Sequence, residues 1–316
     1  MHADDTSVVM PVFNAECSIK RAVTSILEQS LPPVELIVVD DGSTDNTVQI
    51  LKSLQDDRIQ LVQRPHRGVA FAANAGTELA RSPLIARMDA DDVSLSQRLE
   101  KQVAWLRLHE LDVVGCQVRI TDELGKHTSS LSRYAKWINE ETTSNESILA
   151  LRFVELPIVN PTILARREYF ELGFCDNGFP EDYDLMLRAA ASGMKFGKVP
   201  EVLFDWTDRP GRLTRTHENF SESAFMRCRQ THLLAGPLSF VGQVDLWGLG
   251  KTGKPWLRWL QQNRIRVRRA YDINPRKIND QNHLVATRDS PLSKRPTSRV
   301  GCMVLLSRIL KCSNSE

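Results

Sequence analysis

Between Leu84 and Leu99 the chain reads LIARMDADDVSLSQRL, with three carboxylates (Asp89, Asp91 and Asp92) in four residues. Asp89 and Asp91 are two apart, and at the end of a strand alternate residues point the same way. Two carboxylates aimed together repel each other unless a cation or donor groups lie between them. Their oxygens suit a hard divalent ion, Mn2+ or Mg2+, with phosphate oxygens completing the shell. Alone, such a turn is as often an acidic cap, and Asp92 also suits capping of the helix expected over Ser94–Leu108. A second acidic turn is Asp40-Asp41-Gly42-Ser43, and a third is Glu181-Asp182 in GFPEDYDLMLRAAASG. A carboxylate within reach of a hydroxyl can take its proton as a bond forms. At the start of a helix over Tyr183–Ser192, the same acids also suit the helix dipole. Asp184 is expected to point elsewhere.

These turns need elements to hold them. Apolar runs predict strands at Ser7–Val12, Val34–Val39, Ile59–Val62 and Leu84–Met88. Helical spacing predicts helices over Cys17–Gln29, from a cap at Ser43 or Thr44 to Leu54, and over the small residues Gly68–Ala80. Alternation of strand and helix implies right-handed βαβ units and a parallel sheet. Ligands of such sheets lie beyond the carboxyl ends of the strands. Phe13-Asn14, Asp40-Asp41 and Asp89–Asp92 all fall on that rim. Asp112–Ile120 predicts a further strand.

Composition is that of a globular chain, at 41% hydrophobic and 25% charged residues. No apolar run approaches the roughly 20 residues of a membrane span. The start lacks a basic and an apolar leader region, so no signal peptide is expected. Six scattered cysteines form no CxxC pair, which argues for reduced thiols and against a zinc site. The expected location is cytoplasmic or peripheral at a membrane. From Lys251 to Glu316 there are 15 Lys/Arg against 4 Asp/Glu, whereas the whole chain carries only +2. A basic tail on an acidic body suits an anionic partner, or a solvated tail.

VMPVFNAE, VVDDGSTD, GVAFAANAG and ARMDADD, in this order and spacing, resemble the family 2 glycosyltransferases of GT-A fold. Pro180-Glu181-Asp182 is similar to that family's ED motif, and the resemblance covers roughly the first 215 residues. It implies an α/β GT-A fold, with a mixed, mainly parallel sheet and flanking helices. The implied activity moves a sugar from a UDP-sugar to an acceptor hydroxyl, with inversion. Pro11, Phe13, Glu16 and Asp40 would form the base pocket, supported by Asp41. Gly68 would let the backbone approach the nucleotide, and Asn74 and Arg87 would lie near donor or sugar. Asp91 would bind the metal directly, and Asp89 would contact ribose or the metal's water shell. Asp182 would be the base, with Glu181 beside it. In DRPGRLTR, Arg212 and Arg215 are candidates to close over the diphosphate. Arg133–Asn139 and Val159–Thr162 would line the acceptor side. Trp137 and Trp206 suit sugar stacking or a core equally.

Residues 1–235 are therefore expected as the GT-A domain and 236–316 as a small module. In that module Gly248–Gly253 reads GLGKTG between a strand, Phe240–Leu246, and a helix, Pro255–Gln261. A strand at Val267–Tyr271 leads to Asp272. The pattern resembles the first βαβ of a dinucleotide-binding fold. Too little chain follows to complete it, so it is read as a partial Rossmann-like module and not as a cofactor site. RYAKWIN, FPED, LWGLGKTG and YDINPRKI together are also similar to a narrower group, the β-1,3-N-acetylglucosaminyltransferase-like or queuosine-tRNA galactosyltransferases. The acceptors this leaves open are a glycan, a lipid-linked sugar and a tRNA nucleoside. The rival classes are a nucleotide- or RNA-binding protein without transfer and, third, a dehydrogenase.

Overall fold

The computed structural model describes residues 5–128, 131–248, 250–251 and 253–271. In chain order the elements are β1 (Thr6–Val12), α1 (Ile19–Leu27), β2 (Glu35–Asp40), α2 (Thr47–Ser53), β3 (Ile59–Gln63), α3 (Val69–Leu79) and β4 (Leu84–Arg87). There follow β5 (Val93–Ser94), α4 (Arg98–Leu108), β6 (Val113–Thr121), α5 (Ser132–Glu140), α6 (Asn145–Leu151), β7 (Leu164–Arg166), α7 (Arg167–Glu171) and α8 (Glu181–Ala191). The last are β8 (Phe196–Thr207), α9 (Leu213–Thr216), α10 (Glu222–Ala235), β9 (Gln243–Trp247), α11 (Gly253–Gln262) and β10 (Arg266–Tyr271). Contacts divide the chain into two compact units, Met1–Arg152 with Leu156–Cys228, and Phe153–Glu155 with Arg229–Glu316.

The first unit holds an eight-stranded sheet in the order β3-β2-β1-β4-β7-β6-β8-β5. β1 to β4 run parallel, β7 runs antiparallel between β4 and β6, β8 is parallel to β6, and β5 is antiparallel on β8. The mixed, mainly parallel α/β sheet with flanking helices is therefore present. Every residue of β1 and β2 is buried, as expected of parallel strands covered on both faces. α1 turns Ile19, Ala22, Val23 and Ile26 inward at helical spacing. The small residues of α3 let it lie flat on the sheet, since a Cβ on Gly76 would overlap Val9 and crowd Val39. The chain winds from β1 outward through β2 to β3, then returns to β4 on the other side of β1. That reversal opens a crevice at the carboxyl ends of β1 and β4.

Three local expectations are corrected. Val93-Ser94 form a short edge strand on Asp205 and Phe204, so the helix expected from Ser94 begins at Arg98. Asp92 consequently caps nothing. The helix after Asp40-Asp41 starts at Thr47, because Asp45 Oδ1 accepts from Thr47 N and Oγ1 at 3.0 and 2.5 Å. Ser43 turns instead to accept from Asn14 N at 2.9 Å.

The second unit, taken by itself, contains β9, α11 and β10 as a parallel βαβ pair. α11 buries Trp256 and Leu260. Glu155 pairs with the buried Arg229 at 3.5 Å, and Asp245 with Arg268 at 2.5 Å. Leu249 and Thr252 of the glycine-rich pattern lie outside the described residues, as do Asp272 and the chain after it. Among the described residues no helix is long and apolar enough to cross a membrane.

Candidate active site

β1, β2 and β4 deliver their carboxyl ends to one rim. Register sets Asp40 beside Val12, and Arg87 beside Val9. Met88 N then donates to Val9 O at 3.1 Å, and Asp41 N to Val12 O at 2.9 Å. The turns after β1 and β2 are sewn together by side chains. Asn14, at φ 48, accepts from Thr44 N at 2.8 Å, and Glu16 accepts from Asn46 N and Nδ2 at 3.0 and 2.8 Å.

The expected base pocket divides into two kinds of residue. Asp41 is consumed by its own framework, accepting from Arg67 N at 2.9 Å and Gly68 N at 2.8 Å, with His66 Nδ1 2.8 Å from it. Glu16 is held by Asn46, and Pro11 is buried inside β1. Asn74 spends both ends of its amide on Phe174, receiving from its N and donating to its O at 2.8 Å each. Each of these polar side chains thus ties one rim segment to another. Asp40, buried, receives among the described residues only the Ser43 N–H at 3.2 and 3.4 Å, so acceptor capacity remains. Phe13 is 43% exposed and stacks on His66 with ring centroids 4.2 Å apart. Gly68 sits at φ +97 with open space where a Cβ would be, so the α3 N-terminus can be approached closely.

At the end of β4, Arg87 is fully buried and pairs with Asp89 at 2.9 Å, while another guanidinium nitrogen donates to Met88 O. Arg87 is thus a holder of Asp89, one layer behind the surface. Arg98, also buried, donates to Arg87 O at 2.8 Å. Burial brings its guanidinium down to about 10, against the pull of the acids nearby. Ligand oxygens of Asp89, Asp91 and Asp92 lie within 4.8 Å of one another. Asp92 Oδ1 accepts from Thr207 N at 2.7 Å, but its buried Oδ2 has no hydrogen-bond partner among the described residues. Burial, then Asp91 and Asp89, push Asp92 well above the usual carboxyl range. Asp91 is raised by burial and by Asp89, with Arg209 and Arg212 opposing. Three carboxylates with hard oxygens this close, one carboxylate keeping an oxygen without a hydrogen bond, fit a divalent cation.

The acid pair opening α8 lies near enough to this turn for charge to act between Glu181 and Asp89. Glu181 is buried and is pushed up to about 8 by burial first, then by Asp182 and Asp89, while Arg87 opposes the shift. Asp182 is half-buried and accepts from Tyr183 N at 2.7 Å. Its charge also reaches Tyr169, whose buried phenol is raised by burial and then by Asp182. Asp184 does point elsewhere, to Arg188 at 2.8 Å.

Past β8, the segment DRPGRLTR closes on the acid turn. Arg209 Nε lies 2.8 Å from Asp91 Oδ2. Arg212 stacks over Trp206 at 4.0 Å, and Arg215 pairs with Asp208 at 2.7 Å. Trp137 is core, whereas Trp206 stands between Arg212 and Tyr134. Sequence reading missed Arg209, Thr207 and His66. Only the arginine-rich composition of the 208–215 turn signalled the first, and nothing local signalled the other two.

The sequence model of glycosyl transferase family 2 matches residues 7–174. The O-antigen biosynthesis glycosyltransferase WbnJ of Escherichia coli is 31% identical over 192 residues, 58% of this chain and 71% of that protein. The match spans 65% and 45% of the length of the first two curated relatives. Among solved structures, S. aureus TarS 1-349 in complex with UDP-GlcNAc superposes with a TM-score of 0.58 at 22% identity, covering 73% of this chain and 66% of that one. The mannosyltransferase PcManGT from Pyrobaculum calidifontis, in complex with GDP-Man and Mn2+, gives 0.51 at 22% identity, covering 82% and 68%.

Proposed function

The chain belongs to glycosyl transferase family 2, and from that premise we propose that it moves a sugar from a UDP-sugar to an acceptor hydroxyl with inversion at the anomeric carbon. One juxtaposition carries this reading. The acid pair that opens α8 lies within electrostatic reach of the acid turn that closes β4. On this reading a base for the acceptor and a clamp for the leaving group act on one bound donor.

Asp40 accepts the imide N–H of uracil, a bond that discriminates because an unmatched base leaves a buried acceptor unpaired. Phe13 offers an apolar face to the base. Gly68 admits the nucleotide backbone. Asp91 and Asp89, with Asp92 behind them, are the residues that would hold Mn2+ or Mg2+. When bound there, the ion supplies positive charge to the diphosphate as it departs. Arg212 adds a further cation on that side. Asp182 takes the proton of the attacking hydroxyl, and Glu181 fixes its position. Inversion requires Asp182 to stand on the face of the sugar opposite the diphosphate. The UDP-GlcNAc complex of TarS supports a UDP donor, and the Mn2+ of PcManGT supports the metal.

The acceptor is a glycan or lipid-linked sugar on this reading, in keeping with the O-antigen role that WbnJ's name carries. The narrower likeness to the β-1,3-N-acetylglucosaminyltransferase-like or queuosine-tRNA galactosyltransferases rests on RYAKWIN, FPED, LWGLGKTG and YDINPRKI alone, and bears only on the acceptor. The basic carboxyl-terminal stretch supports an anionic partner.

Calorimetry tests the clamp: UDP binding is expected to strengthen with Mn2+, and Asp91→Ala to remove that gain. Asp182→Asn should keep UDP affinity while donor transfer and hydrolysis fall by about 100-fold or more. UDP binding by the wild type without turnover on any nucleotide sugar would favour a binding protein over a transferase.

A further inference from the structure

The three arginines of the 208–215 turn are used differently. Arg215 pairs with Asp208 at 2.7 Å and donates to Arg209 O at 3.0 Å, and Arg212 lies over the Trp206 ring at 4.0 Å. Those contacts are internal to the turn and its strand. Arg209 alone of the three pairs with the acid turn, with Nε 2.8 Å from Asp91 Oδ2. That nitrogen is buried, yet it is not aimed as a hydrogen bond at any acceptor. The contact is therefore one of charge, without the directional bond that makes arginine–carboxylate pairs strong. Just before it, Thr207 is tied firmly, donating from N to Asp92 Oδ1 and from Oγ1 to Asp91 O, both at 2.7 Å.

We propose that Arg209 is a resident competitor for the cation at Asp91, holding the 208–215 turn shut until a divalent ion takes that carboxylate. The proposal rests on the reading of Asp91 as a metal ligand. A guanidinium in contact with a carboxylate and a divalent cation on the same carboxylate repel each other, and both cannot keep their preferred positions. The divalent ion carries the greater charge density and wins when its concentration suffices. Thr207 stays anchored to the backbone of the acid turn, so the movement begins at Asp208. The freed guanidinium is then one residue's reach from the clamp and is available to a diphosphate. Cation binding and closure of the turn on Asp91 are linked, and each must oppose the other by the same factor.

The test uses the full chain, with Mn2+ calorimetry on the wild type, Arg209→Gln and Asp91→Asn. Arg209→Gln is expected to bind Mn2+ tighter by up to about fivefold, since an ion pair of this kind is worth up to about 1 kcal/mol. Trypsin gives a second readout, because Arg212 and Arg215 remain cleavable in that variant. Cleavage there should be accelerated by Mg2+ in the wild type and already fast without metal in Arg209→Gln. Equal or weaker Mn2+ binding by Arg209→Gln, with Asp91→Asn abolishing it, overturns the competitor and leaves the metal site intact. Unchanged binding in Asp91→Asn removes the metal reading and the competitor together.

Discussion

Glu181 keeps its proton to about pH 8 because burial penalises its charge, and Asp182 and Asp89 add to the penalty. An unfolded chain releases that proton near the ordinary value of 4.5. Between those values the folded state binds the extra proton, so stability must fall as pH rises through the window. Glu181→Gln removes the titration and is expected to flatten that part of the profile. Chemical denaturation of both proteins in EDTA, at about pH 5 and about pH 8.5, measures the difference. An unchanged slope in the variant would mean that the burial does not act on the carboxyl as described. Residues of this kind were legible in the sequence as local patterns: two acids at a strand end, two acids at a helix start. Arg209 and Thr207 were not, because their partners stand more than a hundred positions away and no spacing rule links them. Asp41, Glu16 and Asn74 were legible as positions, but the neighbours they hold were not. Whether a polar side chain faces a ligand or a neighbouring backbone is decided by tertiary contacts.

At the scale of elements, apolar runs announced β1, β2 and β4 because both faces of each are buried. β5 was invisible, being two residues that become a strand only because β8 offers a partner. Likewise β7, antiparallel among parallel neighbours, breaks the βαβ alternation in a way that periodicity does not record. The approach to α8 shows how such elements are fixed. Arg188 bonds the carbonyls of Leu172 and Gly173, and Asn74 from α3 clamps the backbone of Phe174 in both directions. Asn74→Ala leaves a partly buried N–H and C=O without partners, at a cost of about 1–3 kcal/mol. The expected outcome is a lower denaturation midpoint with UDP affinity preserved. If affinity falls while stability holds, Asn74 contacts the donor instead, as its motif alone suggested.

Across the whole molecule, charge is the property least visible in an average. The chain carries +2, yet the acids collect in the strand-end turns and the bases at the carboxyl end. In the described part of the second unit the two acids, Glu155 and Asp245, are each consumed by an arginine. Lys251, Lys254, Arg258, Arg264, Arg266 and Arg269 are all exposed. Exposed charges within a Debye length act together, and their field falls steeply with salt. The protein should therefore be retained on immobilised heparin at low ionic strength despite its near-neutral total. Arg264→Glu combined with Arg266→Glu should move elution to clearly lower salt, because the two substitutions replace two positive charges with negative ones on a short stretch around β10. Flow-through of the wild type at the same ionic strength would mean that the acidic body governs the long-range field. In that case the basic carboxyl end has no role in gathering an anionic partner.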